Sequence, residues 1–181
     1  MSPRRVHWLL VALGVSACSA PPADSRYVQT ALPDPASFPP VAQLLTFRCG
    51  TVDCHGSALR NLRLYGSSGL RLSASDRPFV PVCDTQAEID QDYLSVVGLE
   101  PATMSAVVAD HGASPERLTM VRKARGAESH KGGPIWAQGD ASDVCLTSWL
   151  AGQTSASSCA NALAALLPTG ASDPLSQCIT P

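Results

Sequence analysis

The 181-residue chain carries 13 basic and 15 acidic side chains, and aromatic residues make up only 5 % of it. A balance this slightly acidic excludes the broad basic face that nucleic acid or an anionic membrane surface would need. So few aromatics leave a protein-only core short of large fillers, and disulfides or a buried cofactor are expected to contribute.

The first twenty residues, MSPRRVHWLLVALGVSACSA, have the layout of an export signal: Arg4 and Arg5, then an apolar run from Trp8 to Ala17 too short to span a bilayer. Val15-Ser16-Ala17-Cys18 resembles the lipobox of bacterial lipoproteins, in which the cysteine is acylated and becomes the new N-terminus. The resemblance implies a signal peptide at 1–17, lipidation of Cys18 and attachment to a membrane by acyl chains without a protein span. Ser19 after Cys18 is similar to sequences sorted to the outer membrane, so the expected location is the bacterial envelope, on the periplasmic or surface side. The other reading is an ordinary secretory signal cleaved after Ala17 or Ala20. Removal of residues 1–17 leaves 11 basic against 15 acidic side chains, a formal charge of −4.

Residues 18–40 are Pro-rich with few large apolar side chains and are expected to form a disordered tether. The remainder, 41–181, is long enough for one domain. Pro39 and Pro40 can start a helix, and Val41, Leu44, Leu45 and Phe47 follow at helical spacing and deliver the chain to Cys49. Next comes LRNLRLYGSSGLRLS, where Leu62, Leu64, Leu70 and Leu72 alternate about a Gly-Ser turn; the pattern reads as a hairpin, or as a loop wrapped around a cofactor. An N-cap signal at Asp84 precedes a helix over about Thr85–Val97, and Pro101–Asp110 is a second, shorter one. Ser114-Pro115 is another helix-start signal, and the segment HKGGPIWAQGD is loop by its Gly and Pro content. Asp140 or Ser142 caps a helix through Leu150 that Gly152 ends, and SSCANALAALLP is helical by composition until Pro168. The chain therefore reads as mainly α, with long loops and little sheet.

Residues 47–56, FRCGTVDCHG, carry the chemistry. In c-type haem attachment two thiols add to the porphyrin vinyl groups, and the histidine directly after the second cysteine becomes the proximal iron ligand. Cys54 and His55 keep that adjacency, while Gly50, Thr51, Val52 and Asp53 make a four-residue spacer in place of two. Since the vinyl separation is fixed, the longer spacer must loop out, which Gly50 eases, and Gly56 leaves room for a flat macrocycle. The bland alternative is a Cys49–Cys54 disulfide closing a turn. A zinc site would need two further grouped ligands, which the chain lacks.

Residues 115–150, with Leu118, Val121, Arg122, Gly126, His130, Gly132, Gly133, Asp140, Leu146, Trp149 and Leu150, resemble the C-terminal part of the cytochrome c-like domains of Gram-negative envelope proteins. The resemblance covers 41–56 and 115–152 and does not reach 57–114. It implies a small cytochrome c-like helical domain binding covalent haem c through Cys49 and Cys54, with His55 and His130 as axial iron ligands. Bis-His ligation favours a lower potential than His/Met. Met120 and Met104 are weighed against His130 as distal ligands and read as core, and His111 as a helix end. Arg122, Lys123 and Arg125 either neutralise haem propionates or form a solvated face balanced by Glu116 and Glu128. Trp149 either stacks on the haem edge or belongs to the core; Trp136 has no assignment.

Apart from Cys18 there are six cysteines. Either all six form three disulfides, or Cys49 and Cys54 hold haem while Cys83, Cys145, Cys159 and Cys178 form two. Cys83–Cys145 and Cys159–Cys178 are the expected pairs. Two functions follow. The first is a lipid-anchored monohaem electron carrier, no catalyst, working with a redox partner protein. The second is a non-haem, disulfide-stabilised envelope lipoprotein acting as a structural or binding module.

Overall fold

A computed structural model describes residues 30–78 and 83–166. The signal peptide, Cys18, the first part of the expected tether and Cys178 lie outside the described residues. Six α-helices follow in chain order: α1 Pro39–Cys49, α2 Gln86–Leu99, α3 Pro101–Ala109, α4 Thr119–Ala124, α5 Ala141–Leu150 and α6 Ala156–Ala164, with short 3-10 turns at Pro35–Ser37 and Pro115–Arg117. Among the described residues there is no β-strand, and an isolated bridge joins Tyr65 and Leu70. The molecule is a small helical domain, as the sequence implies.

Local chemistry sets the helix ends. Prolines open α1 and α3, where a missing N–H costs nothing. Thr85 caps α2 in a full capping box with Glu88, one residue later than the Asp84 expected, because Asp84 is engaged elsewhere. Asp140 caps α5 by accepting from the Asp143 N–H, and Ser155 does the same for α6 through Ser158. The Ser114 signal is not used as a cap: Ser114 adopts a left-handed conformation with no side-chain cap bond, and only a 3-10 turn follows it.

The core joins Val41, Leu44 and Leu45 of α1 to Val96 of α2, Met104 and Val107 of α3, Val121 of α4 and Leu146, Trp149 and Leu150 of α5. Its aromatic centre is small: Phe38 lies 4.8 Å from Trp149 and 5.6 Å from Tyr93 between ring centroids. Trp149 is a core residue, fully buried, and its indole N–H donates to the Asp34 carbonyl at 3.1 Å. Phe38 is fully buried, the Tyr93 hydroxyl donates to the Pro33 carbonyl, and the Ala31 N–H donates to Ser105 Oγ. Residues 30–40 are therefore part of the folded domain where a tether was expected. Their prolines fit, because what docks is backbone carbonyl and one aromatic ring.

Cysteine pairing also differs from expectation. Cys145 of α5 bonds to Cys159 of α6 across a Cα–Cα distance of 4.7 Å, and Cys83 is disulfide-bonded as well. The Cys145–Cys159 bond replaces both expected pairs, Cys83–Cys145 and Cys159–Cys178. The physical reason is that α6 folds back on α5 through the short turn 151–155, which brings the two sulfurs together.

Residues 59–73, readable as a hairpin or as a loop, form an irregular loop. Its backbone is held by three buried carboxylates spaced four residues apart on one face at the start of α2. Asp84 accepts from the Ser67 N–H (2.8 Å) and the Thr46 hydroxyl (2.6 Å); Glu88 accepts from the Leu72 N–H and pairs with both Arg71 Nε and Nη2 (2.8 and 2.9 Å); Asp92 accepts from the Tyr65 N–H (2.7 Å). Side-chain oxygens thus satisfy N–H groups that a sheet partner would otherwise take.

Candidate functional site

The cysteine–histidine segment begins where α1 ends. Cys49 is the last helical residue, and the chain turns at once: Cys54 N–H donates to the Thr51 carbonyl, Gly56 N–H to the same oxygen, and His55 N–H to the Cys49 carbonyl, each at 2.9 Å. The last bond closes the four-residue spacer into a loop that returns Cys54 and His55 to the side of Cys49. The surplus residues project outward, with Val52 62 % exposed. The long spacer is thereby absorbed without separating the two thiols from the imidazole.

The glycines act by close approach. Gly50 has an ordinary negative φ, so backbone freedom is not its contribution. A Cβ on Gly56 or on Gly69 would strike the Gly50 carbonyl, and these two Cα atoms also face each other. Gly56 is therefore spent on backbone packing beneath the loop, where the sequence reading gave it to a macrocycle.

Cys49, Cys54, His55 and His130 all line one cavity of about 650 Å³, within the range of ligand-binding pockets. Leu45, Leu62, Met120, Ala124 and Ile135 make its apolar walls, and Arg60, Lys123 and Lys131 supply positive charge. Both cysteines are free thiols. Burial pushes the Cys49 thiol up to about 12, with Cys54 adding to the shift and Arg48 opposing it, so it is protonated at neutral pH and no thiolate nucleophile.

The imidazoles of His55 and His130 face each other across this cavity, nearly parallel at 12°, with centroids 5.9 Å apart. His55 Nδ1 lies 2.9 Å from the Leu62 carbonyl oxygen, and His130 Nδ1 lies 3.3 Å from that of Gly133. A carbonyl accepts only, so each Nδ1 is the donor, and a neutral ring held in this way presents Nε2 with its lone pair, the form a metal-ligating histidine needs. Burial lowers the His55 pKa, and the nearby His130, Arg60 and Lys123 lower it further against the Leu62 bond that raises it, which keeps the ring neutral at pH 7.

The other candidates fall out clearly. Met104 is fully buried in the core, and His111 is exposed at the end of α3. Met120, expected in the core, is partly buried against it and also stands in the cavity wall. In the basic cluster, Arg122 pairs with Glu128 and Arg125 makes a two-pronged bond to Asp143, so only Lys123 reaches the cavity. Trp136 is the functional candidate that the sequence reading left unassigned. It lines the cavity, is 5 % exposed, and its buried indole N–H has no hydrogen-bond partner. The apolar Ile135-Trp136 pair inside an otherwise polar Gly-rich loop was the one signal for it.

Among the described residues no three His, Cys, Asp or Glu side chains group as a bare metal-ion site. No helix among them is long and apolar enough to cross a membrane. Comparison with family models, curated proteins and solved structures finds no match to this chain. Its reading therefore rests on its own geometry. Two thiols, an adjacent neutral imidazole, a second imidazole across an apolar cavity and an unpaired buried N–H donor suit a flat, apolar, metal-bearing ring with acidic substituents.

Proposed function

We propose that this protein is a lipid-anchored, monohaem c-type electron carrier of the bacterial envelope. On this reading Cys49 and Cys54 would hold the porphyrin as thioethers, and His55 and His130 would ligate its iron. The observation that carries the proposal is the facing pair of imidazoles. Two imidazoles holding one metal at the ~2 Å metal–nitrogen distance usual for such ligands would have centroids ~6 Å apart, and this pair stands at 5.9 Å with each Nδ1 against a carbonyl oxygen.

When bound, haem supplies one-electron exchange between ferric and ferrous iron. The chain's part is to hold both imidazoles in the neutral tautomer, keep water from the faces of the ring with Leu45, Leu62 and Ile135, and offer donors to its acidic edge. Lys131, the Trp136 N–H and Lys123, which also pairs with Glu128 at 3.6 Å, are the groups nearest to hand for that edge. Two protein ligands leave the metal no open position, which favours electron transfer over substrate chemistry. Cys18 is the expected lipid attachment site, and a redox protein is the expected partner.

The decisive experiment is production with haem-maturation machinery, followed by an absorption spectrum and intact mass after reduction, denaturation and alkylation. The expected result is a coloured protein whose porphyrin mass survives this treatment while Cys49 and Cys54 stay unalkylated. A colourless product with both thiols alkylated would reject haem and leave the alternative of a disulfide-stabilised binding module.

A further inference from the structure

His55 does not orient itself. Its Nδ1–H depends on the Leu62 carbonyl, and Leu62 belongs to a short segment, 62–65, that lies in no strand and is tied at its end by the isolated bridge from Tyr65 to Leu70. Alternate peptide groups along that segment point in opposite directions. Towards His55 face the Leu62 carbonyl, which accepts from Nδ1, and the Leu64 N–H, which donates to the His55 carbonyl at 2.9 Å. Towards α2 face the Arg63 N–H, which donates to Ser95 Oγ at 3.0 Å, and the Tyr65 N–H, which donates to Asp92 Oδ1 at 2.7 Å. Asp92 and Ser95 stand three residues apart on one face of α2.

We propose that Asp92 is a positioning residue for His55: from the middle of α2 it fixes the 62–65 segment, with Ser95 as the second hold, and so sets which nitrogen of His55 is presented to the cavity. This rests on the reading of His55 as an axial ligand. Asp92 does not touch His55 and takes no part in ligation itself. Three facts favour a dedicated role over an incidental contact. Asp92 has no solvent exposure, although a carboxyl group at that position costs free energy to bury. Its Oδ2 has no partner, so its one hydrogen bond is to the segment that holds His55. And the Tyr65 N–H is the end of that segment nearest the glycine turn, where the Asp92 bond acts beside the isolated Tyr65–Leu70 bridge.

The charge state of Asp92 enters through its neighbours. Asp84 just before α2 and Glu88 one turn earlier disfavour its ionisation, Arg71 is committed to Glu88, and burial acts in the same direction, so the carboxyl group titrates at about 8. Arg63 and Tyr65 are the remaining titratable side chains on the segment it holds. An ionised Asp92 makes a stronger, charge-assisted bond to the Tyr65 N–H than the neutral acid does. The segment, and with it the His55 tautomer, is therefore expected to tighten as pH rises through that range.

The test is long-range nitrogen–proton NMR of the His55 ring in the full chain made without haem-maturation machinery, from pH 6 to 9. In the natural protein the Nδ1–H tautomer dominates, and the His55 ring and Tyr65 amide signals shift together near pH 8. Asp92→Asn, which still accepts from the Tyr65 N–H, is expected to keep the tautomer and lose the pH-dependent shift. Asp92→Ala is expected to lower the Nδ1–H fraction at least two-fold, towards the Nε2–H form that a free imidazole prefers. An unchanged tautomer in Asp92→Ala overturns the proposal, and so does a His55 shift near pH 8 that persists in Asp92→Asn, which reads out even if Asp92→Ala does not fold. Because no porphyrin is present, a failure of the haem reading shows separately, as missing porphyrin mass in material made with the maturation machinery.

Discussion

His55 and His130, far apart in sequence, hold their rings parallel to within 12° and 5.9 Å apart across one cavity. If both are ligands, they should fail differently. His55 lies next to Cys54 on the loop closed by the Cys49 carbonyl, so His55→Ala should abolish stable six-coordinate haem. His130 stands on the opposite Gly-rich loop, so His130→Ala should keep covalent haem and convert the low-spin absorption spectrum to high-spin. Met120, though in the same wall, is expected to be passive, and Met120→Leu should leave the spectrum unchanged. A low-spin spectrum retained in His130→Ala and lost in His130→Ala/Met120→Leu would make Met120 the ligand instead.

The loop that presents Cys54 and His55 depends on three glycine backbones in contact. Gly56→Ala would drive a Cβ into the Gly50 carbonyl and towards Gly69 Cα, neither of which can rotate away as a side chain would. The expected cost is about 2–4 kcal/mol, read as a drop in the urea midpoint, with covalent porphyrin yield falling alongside. Gly133, whose Cβ would meet open space, separates the two effects: its φ of 68° alone predicts a backbone penalty of about 1–2 kcal/mol on substitution by Ala.

Cys145 and Cys159 close a loop with a sequence separation of 14 and sit at the main contact between α5 and α6. Loop-closure entropy for that length is worth about 3 kcal/mol. The double substitution Cys145→Ala/Cys159→Ala should lower stability by roughly that amount in chemical denaturation, and reduction of the natural protein should do the same. Neither cysteine lines the cavity, so porphyrin attachment at low temperature is expected to survive. Loss of haem attachment with stability unchanged would contradict this division of labour.

How much of this was legible in the residues depends on whether the signal was local. Helix starts at Pro39, Pro101 and Asp140 were legible, because proline geometry and capping act within one turn. The Cys49–Cys54–His55 grouping was legible for the same reason. Over 59–73 the choice between hairpin and loop was not legible, since alternating leucines report which side chains are buried and not what the backbone bonds to. The carboxylates of Asp84, Glu88 and Asp92 take the backbone N–H groups, and their four-residue spacing was visible but read only as helix-start acidity. The disulfide partners required knowing that α6 doubles back on α5. The packing of residues 30–40 was hidden because a proline-rich stretch is polar by composition, yet it docks through carbonyls that composition does not register. Trp136 became interesting only when its N–H proved to be both buried and unpaired.

The acidic stripe has a cost that should be measurable. Burial raises Asp84 to about 6 and Asp92 to about 8, each against the hydrogen bonds it accepts. Glu88 is different: burial pushes it up, but bonds from Thr85, Leu72 and Arg71 outweigh this and hold it below its ordinary value. A carboxyl group whose pKa is higher folded than unfolded holds its proton in the native state after the unfolded chain has released it. Its stabilising contribution is full below pH ~4, declines as pH rises, and is exhausted once the folded group has ionised. Asp84 is half ionised near pH 6 and completes its decline about one unit higher, and His55, lowered in the folded state, acts in the opposite sense only as pH falls below its ordinary range. Between pH 6.5 and 8 the fall in stability therefore belongs mainly to Asp92, and its slope gives about 2 kcal/mol over that interval. Urea unfolding at pH 6.5, 7.2 and 8.0 should show the midpoint falling in the natural protein and nearly level in Asp92→Asn. A level midpoint in both would mean that Asp92 is ionised throughout, and that the stripe is compensated more fully than its hydrogen bonds account for.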